Sequence, residues 1–527
     1  MNETFVTLAG ASMLAVALGV FVRQRGWGIA IPLLVAGAVV GALPVGPSAP
    51  PDPEVILIVV LAPLVFGEAL GSSYLDLRKV SRPVLALAVG LVVATTLGVA
   101  FSTLLIVAMP AAMALALGAV LAPTDAVAVS AVARRAGLPR RLVSILEGES
   151  LVNDGTGLTA LKVALVAAAA GSLTLGEVAW VFAEAVVVGV AVGAVGGWIL
   201  AWILRSSKDL VPANSLILVA PFALYIMAER LQGSGILAVV VAALVIAHAQ
   251  TSDPGHSGRV QSVTVWRHIT FVLQCLAFFL VGMEIPAVLS RLPVADRGLV
   301  AVLVPVVVVT LILIRAVFVF GMVGASRAIR SPAKGGGTFR GAAIVSWAGA
   351  RGPVSGLAAF SIPLAFTSGA AVPYRDVILA TTFSTIVVTL LLSLTLAPLA
   401  RAIGVQSDDD EGLLRRVDAR LARASLDRLT AVEMEAAEAG TPLPAEVSER
   451  LRSDAERRLD ASANPETVTE TQEMATRQLI ATARAMVRAE QEELIRMRDE
   501  EGIPDALVRP MLHGLDLRDQ ALRTEQG

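Results

Sequence analysis

The stretch Glu147-Gly-Glu-Ser-Leu-Val-Asn-Asp-Gly-Thr156 decides how this chain is read. It sits in a run that is otherwise apolar, and Ala160 to Ala170 beyond it read as lipid-compatible helix. An acid inside a membrane span costs several kcal/mol, about 2.5–3.5 on insertion scales, so by default it serves a function. On a helix, Glu147, Ser150 and Asp154 recur at i, i+3 and i+7 and share a face. Glu149 and Asn153 form an i, i+4 pair on the adjoining strip. Such a polar stripe is aimed at the interior of a bundle.

Composition sets the class. The 527 residues are 55% hydrophobic and only 16% charged, and the mean hydropathy of +0.74 is too apolar for a soluble globular chain. The expectation is an all-α polytopic membrane protein with the lipid bilayer as its surroundings. A net charge of −2 without a basic, aromatic-interleaved patch gives no reason to expect nucleic acid. Cys275 is the sole cysteine, so no intrachain disulfide forms, and it reads as a small packing residue. Met1-Asn-Glu-Thr4 lacks the positive flank of a cleaved signal, so the first apolar run is expected to remain as a span.

Apolar runs predict about thirteen spans, at about 5–22, 29–44, 55–73, 84–107, 112–132, 142–170, 177–204, 213–229, 235–249, 268–286, 298–322, 341–363 and 376–400. Alternate loops hold most of the basic residues: Arg23 and Arg25; Arg78, Lys79 and Arg82; Arg134, Arg135, Arg140 and Arg141; Arg205 and Lys208; Arg259 and Arg267; Arg327, Arg330, Lys334 and Arg340. The intervening loops carry only Arg230, Arg291, Arg297 and Arg375. Positive loops stay in the cytoplasm, which predicts an outside N-terminus and an inside C-terminal tail.

Two spans are interrupted. The fifth breaks at Leu121-Ala-Pro-Thr-Asp125 and the twelfth at Gly349-Ala-Arg-Gly-Pro-Val-Ser355, each with a proline and charged residues at mid-span. They stand seven spans apart, so spans one to six and eight to thirteen can form two repeats of opposite topology. Paired broken helices in inverted repeats point to a transporter's substrate site. With a rise of about 1.5 Å per residue, Asp154, the Thr124–Asp125 pair and Arg351 all fall about 15–18 Å from a membrane face, near one plane.

The chemistry of such a plane follows from its oxygens. Broken helices leave carbonyls and amides that are tolerated at depth only where they line a cavity or coordinate something. Asp125 can neutralise the positive end of a helix, Thr124 offers a hydroxyl and a freed carbonyl, and Asp154 and Ser150 add a carboxylate and a hydroxyl. This suits Na⁺ or Li⁺ and, less exclusively, K⁺; imidazole and thiolate ligands for a transition metal are missing. Asp154 can hold a proton or a cation but not comfortably both, which suffices to couple opposite fluxes. Arg351 needs a partner at that depth, and Glu149 is the best candidate. Glu68 in the third span is deep enough to be a ligand or a helix-packing partner. Glu147 suits an entry funnel, Glu284 reads as solvated at an outer helix end, and Lys162 reads as snorkelling towards the outside.

Pro-Thr-Asp-Ala-Val at 123–127, Glu-Gly-Glu-Ser-Leu-Val-Asn-Asp-Gly-Thr at 147–156 and Ala-Gly-Ala-Arg-Gly-Pro-Val-Ser at 348–355 resemble the monovalent cation–proton antiporter family, in its NhaP and sodium–proton exchanger branch. The resemblance runs over about residues 5 to 403. It implies thirteen spans in inverted repeats, a core that rocks against a dimerisation domain, and a membrane homodimer. By position it makes Asp154 the ion and proton carboxylate, with Ser150 and Thr124 as co-ligands and Asn153 bracing the unwound chain. It pairs Glu149 with Arg351, and Asn153 ahead of Asp154 goes with electroneutral exchange in this family. One departure concerns Leu64-Val-Phe-Gly-Glu-Ala-Leu70, because many relatives place the acid directly after the Phe. In that register Gly67 takes the ligand position and Glu68 faces elsewhere.

Residues 1–403 are therefore expected to be the exchanger domain and 404–527 a helical cytoplasmic tail. Asp408-Asp-Asp-Glu411 opens the tail, and Thr441-Pro-Leu-Pro444 and Gly502-Ile-Pro504 break it. Leu479, Ala483, Met486, Val487, Leu494 and Met497 form an apolar face that Glu490 interrupts. The tail holds no nucleotide-binding glycine loop or metal signature, and it suits regulation, dimer support or a plain solvated bundle. No cofactor and no enzymatic activity are expected; the ligands are transported Na⁺ (or Li⁺ or K⁺) and H⁺ in the plasma membrane, serving pH and sodium homeostasis. The competing readings are K⁺/H⁺ exchange by the same mechanism, a proton-channel subunit of a respiratory complex, a cation channel, and a membrane sensor with output through the tail.

Overall fold

The computed structural model describes residues 3–43, 53–125, 137–171, 174–206, 210–251, 258–329, 338–366, 369–405, 410–440, 442–463, 470–500 and 505–524. Arg134, Arg135, Lys208, Arg330, Lys334, the second half of the expected fifth span, and the tail breaks at Thr441 and Gly502-Ile-Pro504 lie outside them. Among the described residues the structure is helical, apart from one isolated bridge between Ala365 and Ala371. The chain forms two compact units, Met1–Asp408 and Asp409–Gly527.

The first unit opens with α1 (Glu3–Gln24) and α2 (Ala30–Gly41). A continuous helix, α3, covers residues 53–71 with a wide π turn at Leu57–Leu61. The short α4 (Tyr74–Lys79) leads to α5 (Ser81–Leu104), which has a second π turn at Ala86–Leu91. Then come α6 (Ala111–Leu121), α7 (Arg140–Ala170), α8 (Leu175–Ser206), α9 (Leu210–Arg230), α10 (Gly235–Thr251), α11 (Gly258–Arg291) and α12 (Val294–Ile329). The unit closes with α13 (Phe339–Trp347), α14 (Pro353–Phe360), α15 (Arg375–Ser393) and α16 (Leu396–Ile403). Among the described residues, six helices are long and apolar enough to cross a membrane, and shorter apolar helices such as Ala111–Leu121 and Gly235–Gln250 accompany them.

Small residues bring these helices together. Between apolar helices in lipid, attraction comes from close packing, so backbones approach where side chains are smallest. In α8, Gly189 lies against the backbone of Ser234, just ahead of α10, and Gly193 and Gly197 against that of Ala238 and Ala242 within it. In α2, Gly37 and Gly41 meet the backbone of Phe279 and Met283 in α11, and Gly282 of α11 returns the contact at Leu34. Gly118 of α6 rests on the backbone of Thr96 in α5. An added Cβ at any of these would push two helices apart. Cys275 is buried and packs against Gly19, the structural use expected of it.

Helix ends fall where the sequence dictates. Pro110 and Pro139 directly precede α6 and α7, and Gly171 ends α7 with φ of +77°. The Thr338 hydroxyl accepts from the Gly341 amide at 3.0 Å and caps α13. Gly352 precedes α14 in extended conformation, and Pro353 opens that helix, where its missing N–H costs nothing.

The second unit is built from two helix pairs, α17 (Asp410–Glu438) with α18 (Ala445–Ala463), and α19 (Glu470–Glu500) with α20 (Asp505–Thr524). Glu433 of α17 accepts from Arg452 at 2.7 Å and from the Ser448 hydroxyl in α18. Arg484 donates to Asp519 at 3.0 Å across the second pair. The buried line of α19 runs through Ile480, Val487 and Leu494, whereas Met486 is 61% exposed. Glu490 does not interrupt that line: it turns outward and faces Arg518 at 3.7 Å.

Candidate functional site

The two expected interruptions meet at their described residues; beyond Asp125 the first lies outside them. α6 stops at Leu121, α13 stops at Trp347, and α14 begins only at Pro353. The Asp125 amide donates to the Ala350 carbonyl at 2.9 Å, joining one break to the other through backbone alone. The Asp125 side chain packs against Gly352, where an added Cβ would stand 2.5 Å from its Cβ and Cγ. Only glycine fits there.

The stripe on α7 closes on this junction. Ser150 donates from Oγ to the Thr124 carbonyl at 2.5 Å, and Asn153 donates from Nδ2 to the Thr124 hydroxyl at 2.9 Å. That hydroxyl in turn donates to Glu149 Oε1 at 3.3 Å. Glu149, Ser150, Asn153 and Asp154 are each no more than 3% exposed. They form a polar knot in an apolar bundle, and burial makes each unmet hydrogen bond expensive.

Asp154 stands apart within the knot. Its Oδ1 is buried and has no hydrogen-bond partner among the described residues. Glu68 and Asp125 lie near enough for their charges to act on it. Glu68 itself accepts from Gln274 Nε2 of α11 at 3.2 Å, and the charge of Asp125 reaches it too. Among the described residues, no three carboxylate, imidazole or thiolate groups converge as a metal cluster. Glu68 is thus an electrostatic neighbour of Asp154 and belongs to a separate hydrogen-bonded pair.

One expected pairing is corrected. Glu149 does not pair with Arg351; its carboxylate is held by Arg315 of α12, through Nη1 to Oε1 and through Nη2 to Oε2 at 2.8 Å. Arg315 also donates to the carbonyls of Val345 at 2.8 Å and Ala348 at 3.3 Å, so its fork ties α7 to the end of α13. Arg351 instead satisfies orphaned carbonyls. It donates to Leu121 at 2.6 Å, at the end of α6, and to Gly349 at 2.5 Å within its own break. Its amide donates to the Thr389 hydroxyl at 3.1 Å. Two buried arginines therefore divide the work: Arg315 meets a charge and Arg351 meets backbone.

Two further expectations change. Lys162 does not snorkel; it pairs with Glu229 of α9 at 2.8 Å. Glu284 is not bathed in solvent, being 14% exposed in its side chain with Arg291 at 3.5 Å. Arg315, Gln274 and Glu229 escaped the sequence reading. For Arg315 the signal was present, as a lone cation within Leu311-Ile-Leu-Ile-Arg315-Ala-Val.

Comparison with known proteins places this arrangement. The family model for the transmembrane sodium/hydrogen exchanger matches residues 10–402. An uncharacterized Na⁺/H⁺ exchanger of Mycobacterium tuberculosis is 31% identical over 81% of this chain and 79% of its own length. The uncharacterized Na⁺/H⁺ exchanger YjcE of Escherichia coli is 28% identical and aligns over 99% of this chain and all of its own. A sodium, potassium, lithium and rubidium/H⁺ antiporter of Bacillus pumilus is 30% identical over 70% of this chain and 57% of its own length. Among solved structures, the sodium–proton antiporter MjNhaP1 of Methanocaldococcus jannaschii shares the fold, with a TM-score of 0.62 at 19% identity over 76% of this chain and 98% of that one. This multi-pass membrane chain belongs to the sodium/hydrogen exchanger family.

Proposed function

We propose that the protein is a secondary antiporter that exchanges Na⁺ for H⁺, with Asp154 as the carboxylate both must use. The observation that carries the reading is the unpartnered Oδ1 of Asp154, buried beside the joined breaks of two helices. A buried carboxylate oxygen with no protein donor is costly to keep charged, and a proton or a cation is suited to neutralise it. Occupancy by one excludes the other, and that exclusion is the coupling.

Thr124 and Ser150 supply the remaining oxygens: the Thr124 hydroxyl keeps a lone pair after donating to Glu149 and accepting from Asn153, and the Thr124 carbonyl keeps one after accepting from Ser150. Glu68 lends negative charge from the side. Asp125 steadies the N-terminal end of α14, Asn153 fixes the Thr124 hydroxyl, and Glu149 with Arg315, and Arg351 with its carbonyls, hold the two breaks in register. Exchange is electroneutral, one cation for one proton, since the residue ahead of Asp154 is the uncharged Asn153. In the same reading the transmembrane unit has thirteen spans in two inverted repeats, with an outside N-terminus and a cytoplasmic tail. It works by alternating access as a homodimer in the plasma membrane, serves pH and sodium homeostasis, and uses no cofactor.

K⁺ as the transported ion is the second reading, favoured by one observation: the 30% identical relative from Bacillus pumilus is named for four monovalent cations. The test is dissipation of an imposed pH gradient in proteoliposomes, with Na⁺, Li⁺ and K⁺ tried separately on wild type and Asp154→Asn. Cation-dependent exchange that vanishes in the variant is the expected result and names the ion. Exchange that persists in Asp154→Asn would move the shared site elsewhere, and silence with every cation would leave the channel or sensor readings.

A further inference from the structure

Beyond Leu158 and Thr159 of α7, a cavity of about 790 Å³ opens between α3, α7, α9, the start of α10 and the 361–366 segment. Its floor lies close to the proposed ion site, because Leu158 is one helical turn, about 6 Å, past Asp154. Most of its wall is apolar. The exceptions include Lys162, Glu229 and Arg230.

The ion pair in that wall has an uneven build. Glu229 is fixed: Oε1 accepts from the Gly235 amide at 3.0 Å, at the first turn of α10, and Oε2 accepts from Lys162 at 2.8 Å. Lys162 is a flexible stem whose ammonium also reaches the Gly233 carbonyl at 3.5 Å. Its Nζ therefore rests among a carboxylate oxygen and a carbonyl oxygen, hard ligands of the kind a monovalent metal cation takes. The acceptors are anchored by backbone and the cation among them is tethered but removable. Both side chains are about a third exposed, at 35% and 34%, so neither is sealed within the bundle.

We propose that Glu229 and the Gly233 carbonyl form a second, entry-side station for a monovalent cation, and that Lys162 is its built-in competitor. While Lys162 is seated, the station is neutral and weakly attractive; an arriving cation displaces the ammonium and passes about two turns, about 12 Å, along α7 to Asp154. The inference rests on the antiport reading for what happens next, while the station itself is a matter of local charge. It assigns opposite effects to the two partners, which a simple structural brace would not have.

The experiment measures KM for Na⁺ from each face of right-side-out and inside-out membrane vesicles, at low and high ionic strength, for wild type, Lys162→Met and Glu229→Gln. Glu229→Gln keeps an oxygen for the Gly235 amide. Lys162→Met is expected to lower KM about fivefold, the effect of one unit charge at about 4 Å in water, and Glu229→Gln to raise it by about as much. Both shifts should occur on one face only and shrink in high salt. Shifts in the same direction, on both faces, or absent altogether would overturn the station. A readout independent of transport is cation-dependent thermal stabilisation in the Asp154→Asn background. There Lys162→Met should gain stabilisation by Na⁺ that Lys162→Met/Glu229→Gln lacks; equal behaviour would also overturn the proposal. Failure of wild type to exchange, with that stabilisation intact, would count against the antiport reading alone.

Discussion

Removing Arg315 should cost far more than removing its partner. The Glu149–Arg315 pair is 1% and 3% exposed, so water screens neither charge. In Arg315→Met, the Thr124 hydroxyl at 3.3 Å is the one hydrogen bond left to Glu149 among the described residues, with the charge of Arg351 acting from farther off. The carbonyls of Val345 and Ala348 lose a donor at the same stroke. Breaking a buried pair from one side costs about 3–5 kcal/mol, and the abandoned carbonyls take this variant to the upper end. In Glu149→Gln, by contrast, Arg315 retains both carbonyls and a neutral amide oxygen, and about 2–3 kcal/mol is expected. The assay is reversible unfolding in detergent for both single variants and the double variant. The double variant should recover part of the loss, with a coupling above about 1 kcal/mol. Equal costs for the two single variants, or a coupling under about 0.5 kcal/mol, would refute the idea that Arg315 serves both a charge and the broken chain.

Other outcomes follow from the same geometry. Gly352→Ala puts a Cβ 2.5 Å from the Asp125 side chain, and exchange should fall at least tenfold while Gly10→Ala, with open space around it, stays at the wild-type rate. Gln274→Leu removes the amide that donates to Glu68, and the pH profile of exchange should shift while folding, read by thermal melting, changes little. Asn153→Asp loses the amide that donates to Thr124, costing about 0.5–1.5 kcal/mol of stability, and should make exchange electrogenic, which a membrane-potential dye would report. In the second unit, Ser448 and Arg452 hold Glu433 below its ordinary value of 4.5. A lowered folded value stabilises the α17–α18 pair above pH 4.5 and loses that contribution as pH falls through the lowered value. Amide exchange in Ala445–Ala463 should therefore rise in acid, and Glu433→Gln should abolish the pH dependence.

What was legible in the sequence was whatever broke the apolar monotony. Proline and charge at 121–125 and 349–355 marked the interruptions, and Glu149, Ser150, Asn153 and Asp154 showed a shared helical face before any fold was known. Partner choice was less legible. A stripe tells which way a residue points, not which of two arginines lies opposite, and Arg351 drew attention because it stood in a motif while Arg315 stood in plain helix. Glu229 fell at the edge of an apolar run, where an acid is ordinary, so its reach to Lys162 left no trace in spacing. The π turns at 57–61 and 86–91 are invisible for another reason: they are adjustments of hydrogen-bond register among Leu, Ile, Val, Ala and a single Gly, residues that occur in ordinary membrane helices as well.

The bond between the Asp125 amide and the Ala350 carbonyl has a consequence for anyone wishing to retune this protein. A carbonyl has no side chain to exchange, so the spacing of the two breaks, where backbone sets it, is not directly rewritten by a swap at Ala350, and a swap at Thr124 changes the hydroxyl while leaving the carbonyl. On the proposed reading, altering the ion accepted through that spacing calls for lengthening or re-bending the chain on both sides of the knot at once. Libraries built from paired insertions and loop grafts at the two breaks would search that space, and single-codon libraries would pass it by.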